Sequence, residues 1–164
     1  MDAVPQNLSS ADCWALLRTA EVGRLAVAVA GQPEIFPVNF VVDHGTVVFR
    51  TAEGTKLAAL TVSPSVAFEA DGRVAGETEV AGKTDVAGET DEAWSVVIKG
   101  RSEEVRRLDD VVAVDELPLA PWHGGPKGTF VRVIPREVTG RRFAVAPREA
   151  WESPLTGIRR APGE

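Results

Sequence analysis

The sequence predicts a mostly β domain with peripheral helices, organised as a closed or nearly closed antiparallel barrel. Three observations carry this. Runs of β-branched and small apolar residues recur between positions 24 and 134. Tight turn signals such as Gly31-Gln32-Pro33 and Asp43-His44-Gly45 separate them. The helical stretches are short and fall at the edges, which favours an antiparallel barrel over a parallel α/β sheet.

The elements follow in order. Ser9 or Ser10 can cap a first helix, with Asp12 in its opening turn and Trp14, Leu16 and Leu17 on its apolar stripe; the helix is expected to end near Gly23. Residues 24–30 read as a buried strand and 34–42 as the next. Pro37 inside that second strand implies an edge, a bulge or an opening in the ladder. Asp43-His44-Gly45 closes a hairpin into strand 46–51. A helix over 55–61 and a strand over 65–70 follow. Residues 93–107 form a long strand in which Gly100 marks a bulge or bend. A short helix covers 108–116, an irregular connection carries Trp122 and His123, and a strand over 128–134, which residues 137–144 extend or follow, closes the domain.

At 164 residues the chain reads as one domain over 1–146, followed by a proline- and charge-rich tail over 147–164. A net charge of −6 and a pI near 5.0 argue against general nucleic-acid binding. One cysteine, Cys13, excludes an intrachain disulfide framework and fits a reducing cytoplasm. No window approaches the roughly 18 apolar residues of a membrane span, and the first residues lack the basic and apolar regions of an export signal. Two histidines and one cysteine, widely separated, do not make a zinc site.

Residues 74–91 write one hexad three times: Val-Ala-Gly-Glu-Thr-Glu, Val-Ala-Gly-Lys-Thr-Asp and Val-Ala-Gly-Glu-Thr-Asp. With Glu92 the segment holds six acids against one lysine and almost no large side chains, so burial cannot offset its ordering entropy. It reads as an acidic loop inserted in the domain. The run Gly76 to Thr84 imitates a phosphate-binding P-loop, but five residues separate its glycines where four are required.

The chemistry concentrates at 50–56. Arg50 and Thr51 end a strand, and Thr55 and Lys56 open a helix. Two cations, two hydroxyls and a helix start are what a phosphate group needs. Lysine is unfavourable at a helix start unless an anion is close, which makes Lys56 informative.

Through Val22-Gly23-Arg24-Leu25-Ala26, Pro37-Val38-Asn39-Phe40, Phe49-Arg50-Thr51-Ala52-Glu53-Gly54-Thr55-Lys56-Leu57 and Trp94-Ser95-Val96, the chain resembles the pyridoxamine 5′-phosphate oxidase-like family, the flavin-binding split barrels, over about residues 10–144. The resemblance implies a six-stranded antiparallel split barrel that forms a homodimer, with FMN in grooves between the subunits. It implies that the strand matching Pro37, Val38, Asn39 and Phe40 runs along the flavin ring. Arg50, Thr51, Ala52, Thr55 and Lys56 would hold the ribityl chain and phosphate. Ser95 stands where the family often has a longer glutamine that touches the flavin. Trp122 and Arg141 stand for the aromatic and basic residues by which the partner subunit closes the groove. The region Thr139-Gly140-Arg141-Arg142-Phe143 lacks the tryptophan that follows in true pyridoxamine phosphate oxidases, so a different substrate is expected. Other members of the family bind the deazaflavin F420, which a similar cationic turn would suit. The functional expectation is an FMN-dependent oxidoreductase acting on a small molecule. An F420-dependent reductase or a non-catalytic flavin carrier is the alternative.

Overall fold

The computed structural model describes residues 4–51, 54, 58, 60, 63–74, 92–106, 111, 118 and 128–145. Seven strands and one helix are defined among them: β1 (Gln6–Asn7), α1 (Ser10–Leu17), β2 (Val22–Val29), β3 (Gln32–Asp43), β4 (Thr46–Thr51), β5 (Ser65–Val74), β6 (Glu92–Glu104) and β7 (Thr129–Ala144). All pairings are antiparallel. The sheet order is β1-β7-β4-β3-β2-β5-β6, and β6 also pairs with β7. Strands β2 to β7 therefore close a six-stranded barrel, with β1 as a short addition on β7. This is the architecture expected from the sequence.

Local chemistry explains the elements. Ser9 caps α1: its Oγ accepts from the Asp12 N–H at 3.1 Å. The helix stops at Leu17, well before the expected end at Gly23. The Thr19 hydroxyl and N–H both donate to the Leu16 carbonyl, using up one of the last helical acceptors. Gly23 belongs to β2 instead, paired with Val38. It is a close-approach glycine, since a Cβ there would lie 2.2 Å from Phe68 Cζ. Ala30 and Gly31 turn β2 into β3, and His44 and Gly45 turn β3 into β4, each pair with positive φ.

Strand alternation divides the barrel into two faces. Inward point Leu25, Val38, Phe40, Val47, Phe49, Phe68, Val96, Ile98, Val131 and Val133, all buried. Phe40 and Phe68 meet edge to face, with centroids 4.8 Å apart. Cys13, Leu16 and Leu17 of α1 join this core, and so does Leu60. Trp94 is also a core residue, 3% exposed. Burial pushes the Cys13 thiol up, as suits a packed, unreactive side chain.

Strand β7 is one continuous element, so residues 137–144 extend the strand begun at 129. Its partner register on β6 shifts between Lys99 and Gly100, leaving Arg136 without an opposite residue. A Cβ on Gly100 would stand 2.1 Å from the Ile134 carbonyl oxygen, so glycine is required at this bulge. The bulge also exchanges the faces. Val131 and Val133 point inward before it, and Val138 and Gly140 after it. Both Arg132 and Arg141 consequently face outward.

Ala58 and Leu60 are helical, and the Ala58 N–H donates to the Gly54 carbonyl at 3.0 Å. Val111 is helical as well. Val74 and Glu92 pair directly, so the acidic hexads join the tips of the β5–β6 hairpin. Residues 75–91, the rest of the 55–61 and 108–116 segments, and the tail from 146 lie outside the described residues.

Candidate functional site

The outer surface carries the candidate groups. On β3, Val38 and Phe40 point into the barrel, so only their backbones can face an external ligand, while Asn39 points outward. The Phe40 N–H donates to the Glu21 carbonyl at 3.1 Å. Even-numbered residues of this part of β3 thus turn their backbone groups toward β2, and odd-numbered ones turn away. Pro37, which has no N–H, is odd, and β4 pairs only with residues 40–43 of β3. The proline therefore occupies a position where a missing donor costs no β2 ladder bond. The backbones of Pro37 and Asn39 face the side where the β4 pairing runs out.

On β4, Arg50 and Thr51 fall on opposite faces. Thr51 is buried with the inward set of Val47 and Phe49, whereas Arg50 is outward and half-buried. The register Phe40↔Phe49, carried one step on, sets Arg50 beside Asn39. On its other side Arg50 pairs with Phe130 of β7, and its Cζ lies 4.8 Å from the Phe130 ring centroid. Asn39, Arg50 and Phe130 thus form one row across three strands. Beside the row, Leu17, Arg18, Ala20, Glu21, Asn39 and Val41 are among the residues lining a cleft of about 370 Å³. Its lining combines apolar groups with an amide, a cation and a carboxylate.

The hairpin bearing this row is anchored to β7. Arg132 donates to the Asp43 carboxylate at 2.8 Å and to Thr46 Oγ1 at 2.6 Å. His44 Nδ1 lies 2.7 Å from the other Asp43 oxygen. Desolvation raises the Asp43 carboxyl, but hydrogen bonds and charge from Arg132 and His44 outweigh it and hold the group below the ordinary carboxylate range.

Ser95 and Arg141 lie elsewhere. They pair with each other across β6 and β7, and Arg141 also pairs with Asn7 of β1. Both line a second groove of about 670 Å³ with Asn7, Lys99, Glu137 and Thr139. Eleven residues of β7 separate Phe130 from Arg141, roughly 35 Å of extended strand at about 3.3 Å per residue. Along β7, Phe130 and Arg141 thus lie near opposite ends of the strand. Ala52, Thr55, Lys56 and Trp122 lie outside the described residues. Sequence reading passed over Phe130, because Phe130, Val131 and Val133 make both faces of that strand apolar and the outward residue cannot be singled out. Among the described residues no cluster of three or more His, Cys, Asp or Glu side chains could hold a metal, and no helix is long and apolar enough to cross a membrane.

A closed antiparallel barrel with an external cleft defines the class, and comparison with known proteins supplies the family. The family model for pyridoxamine 5′-phosphate oxidase matches residues 9–142, and the chain belongs to that family. A solved Corynebacterium glutamicum protein, provisionally named a pyridoxamine 5′-phosphate oxidase, superposes with a TM-score of 0.71 at 36% identity, covering 90% of this chain and 98% of that one. The FAD-binding protein of Mycobacterium smegmatis superposes with a TM-score of 0.66 at 37% identity, covering 85% and 99%. An uncharacterized Mycobacterium tuberculosis protein is 31% identical over 142 residues, 87% of this chain and 88% of its own length.

Proposed function

We propose that this chain is a flavin-nucleotide-binding protein, with FMN as its cofactor and a small-molecule oxidoreduction as its activity. The observation that carries the reading is the Asn39–Arg50–Phe130 row beside a partly apolar cleft on the barrel's outer face. These residues fit the group. A flavin needs a flat apolar bed, polar partners for one ring edge and a cation for its phosphate. Val41 and Ala20 offer the first, the strand Pro37–Phe40 the second, and Arg50 the third; Thr55 and Lys56, a few positions further along the sequence, are assigned to assist Arg50. A bound flavin supplies the redox chemistry. The chain's residues bind and orient it and set the charge around it. The family match and the FAD-binding protein of Mycobacterium smegmatis support flavin binding, and FMN in particular is the proposal's own choice.

A second copy of the chain completes the site in this proposal. The Ser95–Arg141 pair lies toward the opposite end of β7 from Phe130, and the proposal assigns it to the partner's flavin. This places Ser95 with Arg141 on the partner side of the groove. The substrate is assigned as a molecule other than pyridoxamine 5′-phosphate, because no tryptophan follows closely behind Thr139–Phe143. A Cβ on Gly140 would lie 2.6 Å from Cys13 Sγ, which makes this stretch a seat for α1.

The test is direct. Purified protein is expected to be yellow, to release FMN by mass spectrometry, to elute at twice the monomer mass in light scattering, and to bleach with NAD(P)H. Released FAD or F420 would reassign the cofactor, and a colourless protein that gains no thermal stability from FMN would refute flavin binding. A non-catalytic carrier predicts colour without bleaching.

A further inference from the structure

Ile35 is the most exposed large hydrophobic residue of the barrel strands, at 66%. A lone exposed isoleucine is ordinary, but this one stands in a patch. The register sets it beside Ala26 of β2, and Ala26 beside Ala67 of β5. Pro33, Pro37 and Ala28 flank them on the same outer face, and none of the six is buried. Ala26, Ala28 and Ala67 line a hollow of about 460 Å³, so a projecting side chain sits next to a recess. Ion pairs border the patch, Lys99 with Glu137 at 3.3 Å and Arg24 with Glu69 at 2.7 Å. The border therefore carries both signs in balance, which suits contact with an identical surface.

We propose that this face of β2, β3 and β5 is where a second copy of the chain docks, about a twofold axis running along β2. The proposal rests on the reading in which a second copy completes the flavin site, and it names the surface that brings that copy. A twofold contact joins one patch to itself. Ile35 and Ala67 lie on either side of Ala26, each one strand spacing of about 4.8 Å away. This axis therefore seats Ile35 over the partner's Ala67, twice. An axis across the strands would set Ile35 against itself and leave the hollow empty. Along the axis, Ala26 and Ala28 have no side chain beyond Cβ and allow close approach. Each Arg24 meets its counterpart there while bound to its own Glu69 and Asp71 carboxylates, which offsets the like charge. Strand addition at the β3 edge is a poorer contact, because Pro33 and Pro37 offer no N–H on the side away from β2. The same axis sets β4 across from the partner's β6, and by register Arg50 comes opposite the partner's Ser95. Convex barrels that touch along β2 diverge toward β4 and β6, so the contact leaves a cleft on each side for a ligand.

Light scattering on the full chain over a dilution series tests the face. Wild type is expected at twice the monomer mass. Ile35→Asp places two unpaired carboxylates in the contact and is expected to raise the dimer Kd about 100-fold or more. Ala67→Lys fills the hollow with a cation and is expected to do the same, which decides the matter if Ile35→Asp does not fold. Mixing the two variants sets the new carboxylate against the new ammonium in one contact and leaves Ile35 on Ala67 in the other. A mixed dimer is therefore expected to form. Val4→Asp, at a residue 81% exposed outside the patch, is expected to leave the mass unchanged. A dimer that persists in Ile35→Asp or Ala67→Lys, a mixture that stays monomeric, or an equal loss in Val4→Asp overturns this face and leaves the second-copy reading standing. Wild type that is monomeric at every concentration overturns both.

Discussion

Two of the grooves on the outside of this barrel differ in their lining: β7 walls one of them, and supplies Phe130 to the row of residues beside the other. The first has Ala20 and Val41 in its lining beside the Arg50 row. The second, at the C-terminal end, is lined by Asn7, Ser95, Lys99, Glu137, Thr139 and Arg141, with Leu8, Val97 and Val138 among them. A flat hydrophobic ring gains by burial in the first and would desolvate polar groups in the second. The bulge at Arg136 allows one strand to serve both. By exchanging inward and outward positions midway, it turns Arg132 and Arg141 to the same outer face although their numbers differ in parity.

The largest effect should come from removing the cation of the first groove. Arg50→Ala is expected to weaken FMN binding about 10- to 100-fold, the scale of hydrogen bonds to a charged group, with little change for riboflavin. Fluorescence quenching measures both. An equal loss for the two ligands would remove the phosphate from Arg50.

Next comes the anchor of the first groove. Asp43→Asn is expected to lower stability by about 1 kcal/mol near neutral pH. The Asp43 pKa is depressed in the folded state, so its contribution is present above the unfolded carboxylate value near 4 and is lost as pH falls through the folded value. Wild type and variant should therefore converge in acid. Thermal melts from pH 7 to pH 3 test this, and a constant difference across that range would contradict the pairing.

Arg141→Ala in the second groove is expected to cost about threefold in FMN affinity, the scale of an exposed charge contact. A loss exceeding that of Arg50→Ala would reverse the roles assigned to the two grooves. The smallest effect is expected at the β5–β6 tip. Val74 and Glu92 already face each other, so replacing 75–91 with an Asn-Gly turn should leave the melting temperature and FMN affinity unchanged. A marked drop in melting temperature would give the hexads a structural role.

Much of this was legible in the sequence where the signal was local. Ser9 and Asp12 marked a helix start, Asp43-His44-Gly45 marked a hairpin, and Gly100 marked a bulge. Each depends on residues within a few positions of one another. What was missed depended on distant partners. Gly23 looked like a helix stop because the ring of Phe68, which requires it, lies 45 positions away. Arg50 and Thr51 looked convergent because adjacent residues were read together, but strand alternation separates their side chains. Phe130 acquired meaning only when the β4–β7 register set it beneath Arg50. The division of Ser95 and Arg141 from Asn39 and Arg50 was equally invisible, because it follows from the order of strands around the barrel.

The most direct test of the central claim is a crystal structure of the protein grown with FMN. The account predicts phosphate density within hydrogen-bond distance of the Arg50 guanidinium, on the outer face of β4, with the ring extending along Pro37–Phe40. Phosphate density in the Ser95–Thr139 groove of the same chain, with Arg50 making no contact to it, would contradict the account.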